Sequence, residues 1–232
     1  MADELKKIIS AARSEGRSSL LEPEAKTLVS ALGIAVPKGV VVSGVDEVTQ
    51  KAASLTPPLV LKVVSPDILH KTDAGGVVTG IKSPEDAASA VAAMSKAIAG
   101  RMPDARIHGY LLEEMAKPGV EVIVGCFRDP QFGPVVMFGT GGVMVELMKD
   151  VSFRIAPVSR DEALEMIREV KGYPLLAGFR GRKAVDLEPL AAAVVKLSET
   201  MMTLDDMAEM EINPLFVYEK GVTAVDVRVI LK

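Results

Sequence analysis

The sequence has few of the residues that most readily indicate a chemistry. It has one cysteine, Cys126, which excludes an internal disulfide framework and a cysteine-based zinc site. Its neighbours Val124 and Phe127 predict a buried strand thiol. There is no tryptophan, only two histidines, and 4% aromatic residues. No apolar stretch reaches the ~18–20 residues of a membrane helix. The longest uncharged run, 130–145, is broken by glycines and a proline. The opening MADELKKIISAARSEG lacks the apolar core of a signal peptide. These absences predict a soluble, cytoplasmic protein with no membrane partner. Excess positive charge is also missing. A formal net charge of −4 argues against nucleic acid, because phosphate binding needs a basic face. No GxxxxGK[ST] loop occurs. A GxGxxG begins at Gly139 and Gly141 but has Met144 in its last position.

What is present suffices for a large core. Of 232 residues, 49% are hydrophobic, enough for one large or two small domains. Helices are predicted over 3–13 and from Pro23 to Gly33, and one starts at a Ser43/Asp46 capping box. Another opens at Ser83-Pro84-Glu85-Asp86, with Val91, Met94 and Ile98 at helical spacing. Strands are expected over 39–42, 59–64 and 77–81. In the second half, runs at 107–115, 120–127, 134–139, 143–147 and 153–157 read as an antiparallel sheet. Ser159 and Glu162 cap a helix to about Val170, a longer helix follows from Leu187, and 207–231 reads as strand, turn and strand. The simplest organisation is α+β: an N-terminal helix and linker over 1–19, a small lobe over 20–109 and a larger lobe over 110–232.

The stretch 59–80, LVLKVVSPDILHKTDAGGVVTG, is the most informative. An apolar strand carries one charge, Lys62, which needs an anionic partner when buried; a nucleotide phosphate or a carboxylate of the fold would serve. A polar loop follows, with His70 at its crest and Lys71 and Asp73 beside it. Histidine suits nucleophilic or proton-carrying work near neutral pH, because its ordinary pKa is ~6.5. Taken alone, a structural His70 is an equal reading. His108, at a strand start, reads as structural. Gly139-Thr140-Gly141-Gly142 lies between two strands without a bulky side chain, so its backbone N–H groups suit phosphates, or it is a plain hairpin turn. Glu113, Glu114 and Met115 fall at the expected lobe junction, where ligands often sit. Arg180 and Arg182 are candidate phosphate clamps or surface arginines. Alternation puts Glu211, Asn213 and Leu215 on one strand face. A turn centred on Lys220-Gly221 places Asp226 opposite Leu215 and diagonal to Asn213. An amide oxygen and a carboxylate with room for water and phosphate suit Mg2+ rather than zinc.

Together, EPEAKTLVSALGIAVP, VLKVVSPDILHKTDAGGV, LLEEMAKPGVEVIVG, FGTGGVMVEL, GFRGR and EINPL with the later Asp226 resemble the ATP-grasp fold. More narrowly, they resemble the β subunit of ADP-forming acyl-CoA synthetases, acetate–CoA ligase (ADP-forming). The likeness spans nearly the whole chain. It implies two α+β lobes with the nucleotide between them. It also implies the reaction acyl-CoA + ADP + phosphate ⇌ acid + CoA + ATP. In such enzymes a companion α subunit handles CoA and the acyl group, and the resemblance implies an α2β2 assembly. The loop histidine matching His70 relays the phosphoryl group to ADP. By the same resemblance Lys62, Glu113, Glu114, Met115, Glu121 and Gly139 to Gly142 fall on nucleotide-binding positions. Asn213 and Asp226 fall on the metal ligands. The expected cofactors are ADP/ATP, Mg2+ and inorganic phosphate.

Two other readings stay open. A free-standing ATP-grasp carboxylate ligase would need an acceptor pocket in this chain and no phosphohistidine. A non-catalytic nucleotide-sensing subunit would keep the fold alone. The relay reading carries its own expectation: Ser65 to Gly76 should adopt more than one position, hinged at Ser65-Pro66 and Gly75-Gly76.

Overall fold

The computed structural model describes residues 2–68, 70–142, 149–181 and 183–232. The chain starts with helices α1 (Ala2–Ser14) and α2 (Glu22–Ala31). Both are tied to the far end of the sequence. The Leu20 N–H donates to the Val229 carbonyl at 3.0 Å, that of Leu231 to Ser18 at 2.8 Å, and that of Ala224 to Ala35 at 2.8 Å. Two compact units result: Pro37–Lys117, and a larger one made of Met1–Val36 with Pro118–Lys232. This differs from the boundaries expected at 19/20 and 109/110. Residues 20–36 join the larger unit through this pairing and through Leu20, Leu28, Val29 and Ile34, which are buried in its core; no local pattern announces which core they enter.

The smaller unit holds β1 (Gly39–Val42), α3 (Val45–Ala52), β2 (Leu59–Val64), β3 (Val77–Ile81), α4 (Pro84–Arg101) and β4 (Gly109–Glu114). Its antiparallel sheet runs β1-β4-β2-β3. Leu59, Leu61, Val63 and Leu112 face the helices, joining a core with Val91 and Met94. By alternation Val60, Lys62, Leu111 and Glu113 point to the helix-free face. The expected α4 cap forms, with the Ser83 hydroxyl accepting the Asp86 N–H at 3.1 Å. The α3 cap does not. Gly44 is its N-cap residue, and Glu47 rather than Asp46 reaches back, accepting the Ser43 N–H at 3.2 Å.

The larger unit continues with β5 (Val120–Asp129), β6 (Gly133–Thr140), β7 (Val151–Ile155), α5 (Arg160–Glu169), α6 (Tyr173–Ala177) and α7 (Leu187–Thr203). It ends in β8 (Met207–Val217), β9 (Val222–Ala224) and β10 (Val227–Leu231). The strands are antiparallel in the order β10-β8-β5-β6-β7, with β9 on β8. Val122, Val124, Val136, Phe138, Met210 and Ile212 face one core with the buried residues of α5 and α7. The Ser159–Glu162 capping box is complete in both directions. The expected strand over 143–147 lies outside the described residues. Among the described residues, no helix is long and apolar enough to cross a membrane.

The C-terminal register corrects an expectation. Leu215 pairs with Ala224, and Ile212 with Val227. Asp226 therefore stands opposite Asn213, whose N–H donates to the Asp226 carbonyl at 3.0 Å. The turn centres on Glu219 and Lys220, closed by Tyr218 N–H to the Gly221 carbonyl at 3.1 Å. Against β5, β8 carries one extra residue at Asn213–Pro214, between the pairs Val124–Ile212 and Val122–Leu215. The bulge exchanges the faces. Glu211 and Asn213 point outward, whereas Leu215 points into the core rather than sharing their face.

Candidate functional site

Lys62 and Glu113 lie diagonally across β2 and β4 on the helix-free face, only 5% and 2% exposed. Lys62 Nζ is 3.2 Å from Glu113 Oε2. Of the two partners the sequence allows for Lys62, the fold supplies the carboxylate. Burial makes this pair mutually dependent, since losing either partner strands a charge in low dielectric. Glu114, on the opposite parity, has an oxygen accepting the Thr56 N–H at 3.0 Å, with Lys38 Nζ at 4.0 Å. Met115 is exposed, and its N–H donates to the Pro58 carbonyl at 2.8 Å.

The loop after β2 has two parts. Its first arm is fixed. Ile68 is buried in the small core, and Asp67 accepts the Arg106 backbone N–H at 2.7 Å and the Arg106 guanidinium at 2.7 and 3.0 Å. The Arg106 guanidinium, and then its N–H, hold the Asp67 carboxyl down at about 2. The second part closes on itself. The N–H groups of Ala74, Gly75 and Gly76 donate to the carbonyls of His70, Thr72 and Lys71 at 3.2, 3.0 and 2.6 Å. His70, Thr72 and Asp73 are exposed on this turn. Gly75 has φ 72, a left-handed conformation that favours glycine. The Gly76 carbonyl accepts the Val63 N–H at 2.8 Å, returning the chain to the sheet.

In the larger unit the remaining candidates collect on the outward face of the sheet. Glu121 of β5, Gly139 at the end of β6, and Asn213 opposite Asp226 all point away from the core. At one end of this face is a cleft of about 540 Å3. It is lined by Gly119, Val120, Glu121, Thr140, Gly141, Leu175, Phe179 and Arg180. Gly141 sits so near β5 that its N–H donates to the Glu121 carbonyl at 2.8 Å. A Cβ there would meet the Glu121 backbone at 2.8 Å. Gly142 has φ 70. Arg180 is exposed, adopts φ 49, and holds its guanidinium 5.3 Å from the centre of the Phe179 ring. Arg182 lies outside the described residues.

The cleft wall includes residues that the sequence did not single out, namely Leu175 and Phe179. Behind Thr140 stands another, Asp150, buried just before β7. A lone acid before an apolar strand gives no usable signal at the sequence level. His108 is exposed beside β4, its backbone N–H donating to the Val64 carbonyl at 2.8 Å. Cys126 is buried on β5, and burial pushes its thiol up to about 12.

The donor chemistry around Asn213 fits Mg2+. Directly opposed side chains of an antiparallel pair have Cβ atoms ~4.5–5.5 Å apart, so Asn213 and Asp226 offer an amide oxygen and a carboxylate together. Asn213 Nδ2 lies 3.4 Å from Glu211 Oε1, which turns the amide oxygen away from Glu211. Among the described residues no group of three or more His, Cys, Asp or Glu is assembled for a metal. A cation held here would complete its shell from water and substrate oxygens, the arrangement Mg2+ tolerates.

Known proteins share this fold. The ATP-grasp domain model matches residues 11–231. The chain is 47% identical over 226 residues to the acetate–CoA ligase [ADP-forming] I subunit beta of Pyrococcus furiosus, covering 97% of each. It superposes with TM-score 0.95 and 44% identity on the dinucleotide forming acetyl-coenzyme A synthetase 1 of Ca. Korarchaeum cryptofilum, in complex with coenzyme A, Ca-AMPCP and HgCl+, covering 98% of this chain and 99% of that one. A second structure of the Korarchaeum protein, with coenzyme A and Mg-AMPPCP, has its phosphohistidine segment pointing towards the nucleotide binding site. That structure matches with TM-score 0.85 and 42% identity, over 98% of this chain and 100% of that one. On fold, sequence and extent, the chain belongs to the ATP-grasp proteins and, within them, to the family of β subunits of ADP-forming acetate–CoA ligases.

Proposed function

We propose that the chain is the nucleotide-binding subunit of an ADP-forming acyl-CoA synthetase in which His70 carries the phosphoryl group. The observation that bears most weight is His70 itself, exposed at the first residue of a turn braced by its own backbone hydrogen bonds. A neutral ring nitrogen attacks the phosphorus of a phosphoryl donor held on the companion subunit. The donor's bond to phosphorus breaks as the N–P bond forms. A terminal oxygen of ADP then attacks the same phosphorus, the N–P bond breaks, and ATP leaves. Acyl-CoA, consumed on the companion, supplies the driving force.

The other candidates take supporting roles. Lys62, held by Glu113, presents a cation to nucleotide phosphates. Glu114, Met115 and Glu121 line the nucleotide's path. The N–H groups of Thr140 and Gly141 are used inside the protein, on the Asp150 and Glu121 carbonyls, so Gly139, Thr140, Gly141 and Gly142 serve as a close-packed cover beside the phosphates, with Arg180 as a clamp. Asn213 and Asp226 would hold Mg2+, which supplies neutralisation of charge on the transferring oxygens. We infer a companion α subunit carrying the CoA and acyl sites, in an α2β2 assembly. The naming of the Pyrococcus relative as a subunit beta supports a companion. The Korarchaeum complex with coenzyme A and Mg-AMPPCP supports the ligands. The acyl group is selected by the companion rather than by this chain.

The test is His70→Ala in the complex with its companion. Binding of ADP with Mg2+ should stay within about twofold, while acyl-CoA-dependent ATP formation falls by at least ~10^3. Wild type should take up labelled phosphate in an acid-labile, base-stable bond, and the variant should not. Undiminished turnover in the variant overturns the relay.

A further inference from the structure

Asp150 is a carboxylate with no part in the scheme above, yet it is 5% exposed and makes four hydrogen bonds within the larger unit. Oδ1 accepts the Lys171 N–H at 2.7 Å. Oδ2 accepts the Gly172 N–H at 2.8 Å and the Thr140 hydroxyl at 3.1 Å. Its carbonyl accepts the Thr140 N–H at 3.3 Å. These partners lie on different pieces of the cleft. Thr140 ends β6 and opens the glycine-rich loop; Lys171 and Gly172 form the turn into α6, the helix that contributes Leu175.

The packing around this carboxylate is just as tight. A Cβ at Gly172 would stand 2.0 Å from Thr140 Cγ2 and 3.1 Å from Asp150 Oδ2. Gly172 has φ −75, so its backbone would accept alanine, and steric closeness alone demands glycine. A buried carboxylate that receives this many donors is costly to rearrange, so it fixes the pieces it joins. A site already in place binds phosphate better than one that must first be ordered.

We propose that Asp150 is a positioning residue. It pins the Gly139–Gly142 loop to the Lys171–Gly172 turn, so that the cleft wall is already in place for the phosphates of the nucleotide. The proposal deepens the nucleotide reading above and rests on it. Asp150 touches no substrate, and its effect passes through Thr140.

The experiment compares adenosine, AMP and ADP with Mg2+ by calorimetry on the α–β complex. Wild type should bind ADP at least about tenfold more tightly than adenosine. Asp150→Asn keeps one acceptor oxygen but turns an NH2 towards a donor. ADP affinity should fall by about tenfold, while adenosine affinity stays within about twofold. A merely structural role lowers the melting temperature and leaves the ADP-to-adenosine ratio unchanged, which would overturn the proposal. Gly172→Ala attacks the same pin from the other side, and decides the matter if Asp150→Asn does not fold. It should lower the ratio, and adding Thr140→Ser, which removes the colliding methyl and keeps the hydroxyl, should restore it. An unchanged ratio in Gly172→Ala, or no recovery in the double variant, also overturns it. If wild type binds ADP no better than adenosine, the nucleotide reading itself fails, and this proposal with it.

Discussion

Two glycine-containing loops, one in each unit, are built in opposite ways. The Gly139–Gly142 loop is held from outside: by the Glu121 carbonyl on β5 and by Asp150 before β7. The His70 turn is braced by hydrogen bonds among residues 70–76 and joined to the small unit at its far end, by Ala74 against the core and the Gly76 carbonyl on Val63, with His70, Thr72 and Asp73 exposed. Such a turn can keep its own shape while its orientation changes, whereas an externally pinned loop can move only by breaking its anchors. The difference matches the two proposed tasks. A phosphate cradle gains from stillness, and a phosphoryl carrier must travel between a donor and an acceptor. It also refines the expected hinges. Ser65-Pro66 leads into the arm clamped through Asp67 and Ile68, so motion should begin beyond Ile68.

The largest effect should come from breaking the still loop. Gly141→Ala drives a Cβ into the Glu121 backbone, which cannot swing aside as a side chain could. Such overpacking costs about 1–3 kcal/mol. For a chain of this size the melting temperature should fall by about 2–4 °C per kcal/mol. ADP affinity should fall with it. Cys126 offers a second readout, because a buried thiol pushed up to about 12 reacts at pH 8 only when the sheet opens. Gly141→Ala should speed its labelling. An alanine tolerated there without loss of stability would show that the loop is not pinned.

The matching change in the His70 turn should be milder. Gly75→Ala imposes a side chain on φ 72, at roughly 1–2 kcal/mol. The nearest atom to the new Cβ is Arg101 Nη1 at 2.9 Å, the tip of a flexible chain that can move away. ADP affinity and Cys126 labelling should stay near wild type, while phosphoryl transfer through His70 slows. Equal damage to nucleotide binding by both glycine changes would erase the distinction between the loops.

Much of this contrast was legible in the sequence, for physical reasons. Lys62 in an apolar strand, the glycines around His70, and Ser159 with Glu162 are local signals, and local signals survive folding. What stayed hidden depends on register and distance. The placement of Asp226 turned on which two residues make the hairpin turn; Gly221 suggested Lys220-Gly221, and the chain uses Glu219 and Lys220. A bulge at Asn213–Pro214 then changed which neighbours share a face. The union of 1–36 with the larger unit combines backbone pairing to β10 and β9 with burial of Leu5, Ile9, Leu28 and Val29 in its core; the apolar faces were legible, but not which core they join. Asp150 was silent because its partners are backbone N–H groups of residues 171 and 172.

The smallest expected effect concerns the fixed arm of the His70 loop. Asp67 has its carboxyl lowered from 3.8 to about 2, chiefly by the Arg106 guanidinium and then by the Arg106 N–H. A carboxylate depressed on folding contributes stability above its unfolded pKa and loses it as pH falls through the folded value. The clamp should therefore be whole above pH 4 and be lost between pH 4 and pH 2. Because the pair is exposed, the cost to the whole fold should be slight, and the effect local. In an NMR titration the Arg106 amide should move with a midpoint near 2. Arg106→Ala should raise that midpoint towards 3.8 and speed amide exchange over residues 65–68, leaving the Gly139–Gly142 loop unaffected. A midpoint that ignores the loss of Arg106 would mean the arm is held by Ile68 alone. The boundary between the fixed arm and the travelling turn would then lie in the apolar core rather than at the Asp67 clamp.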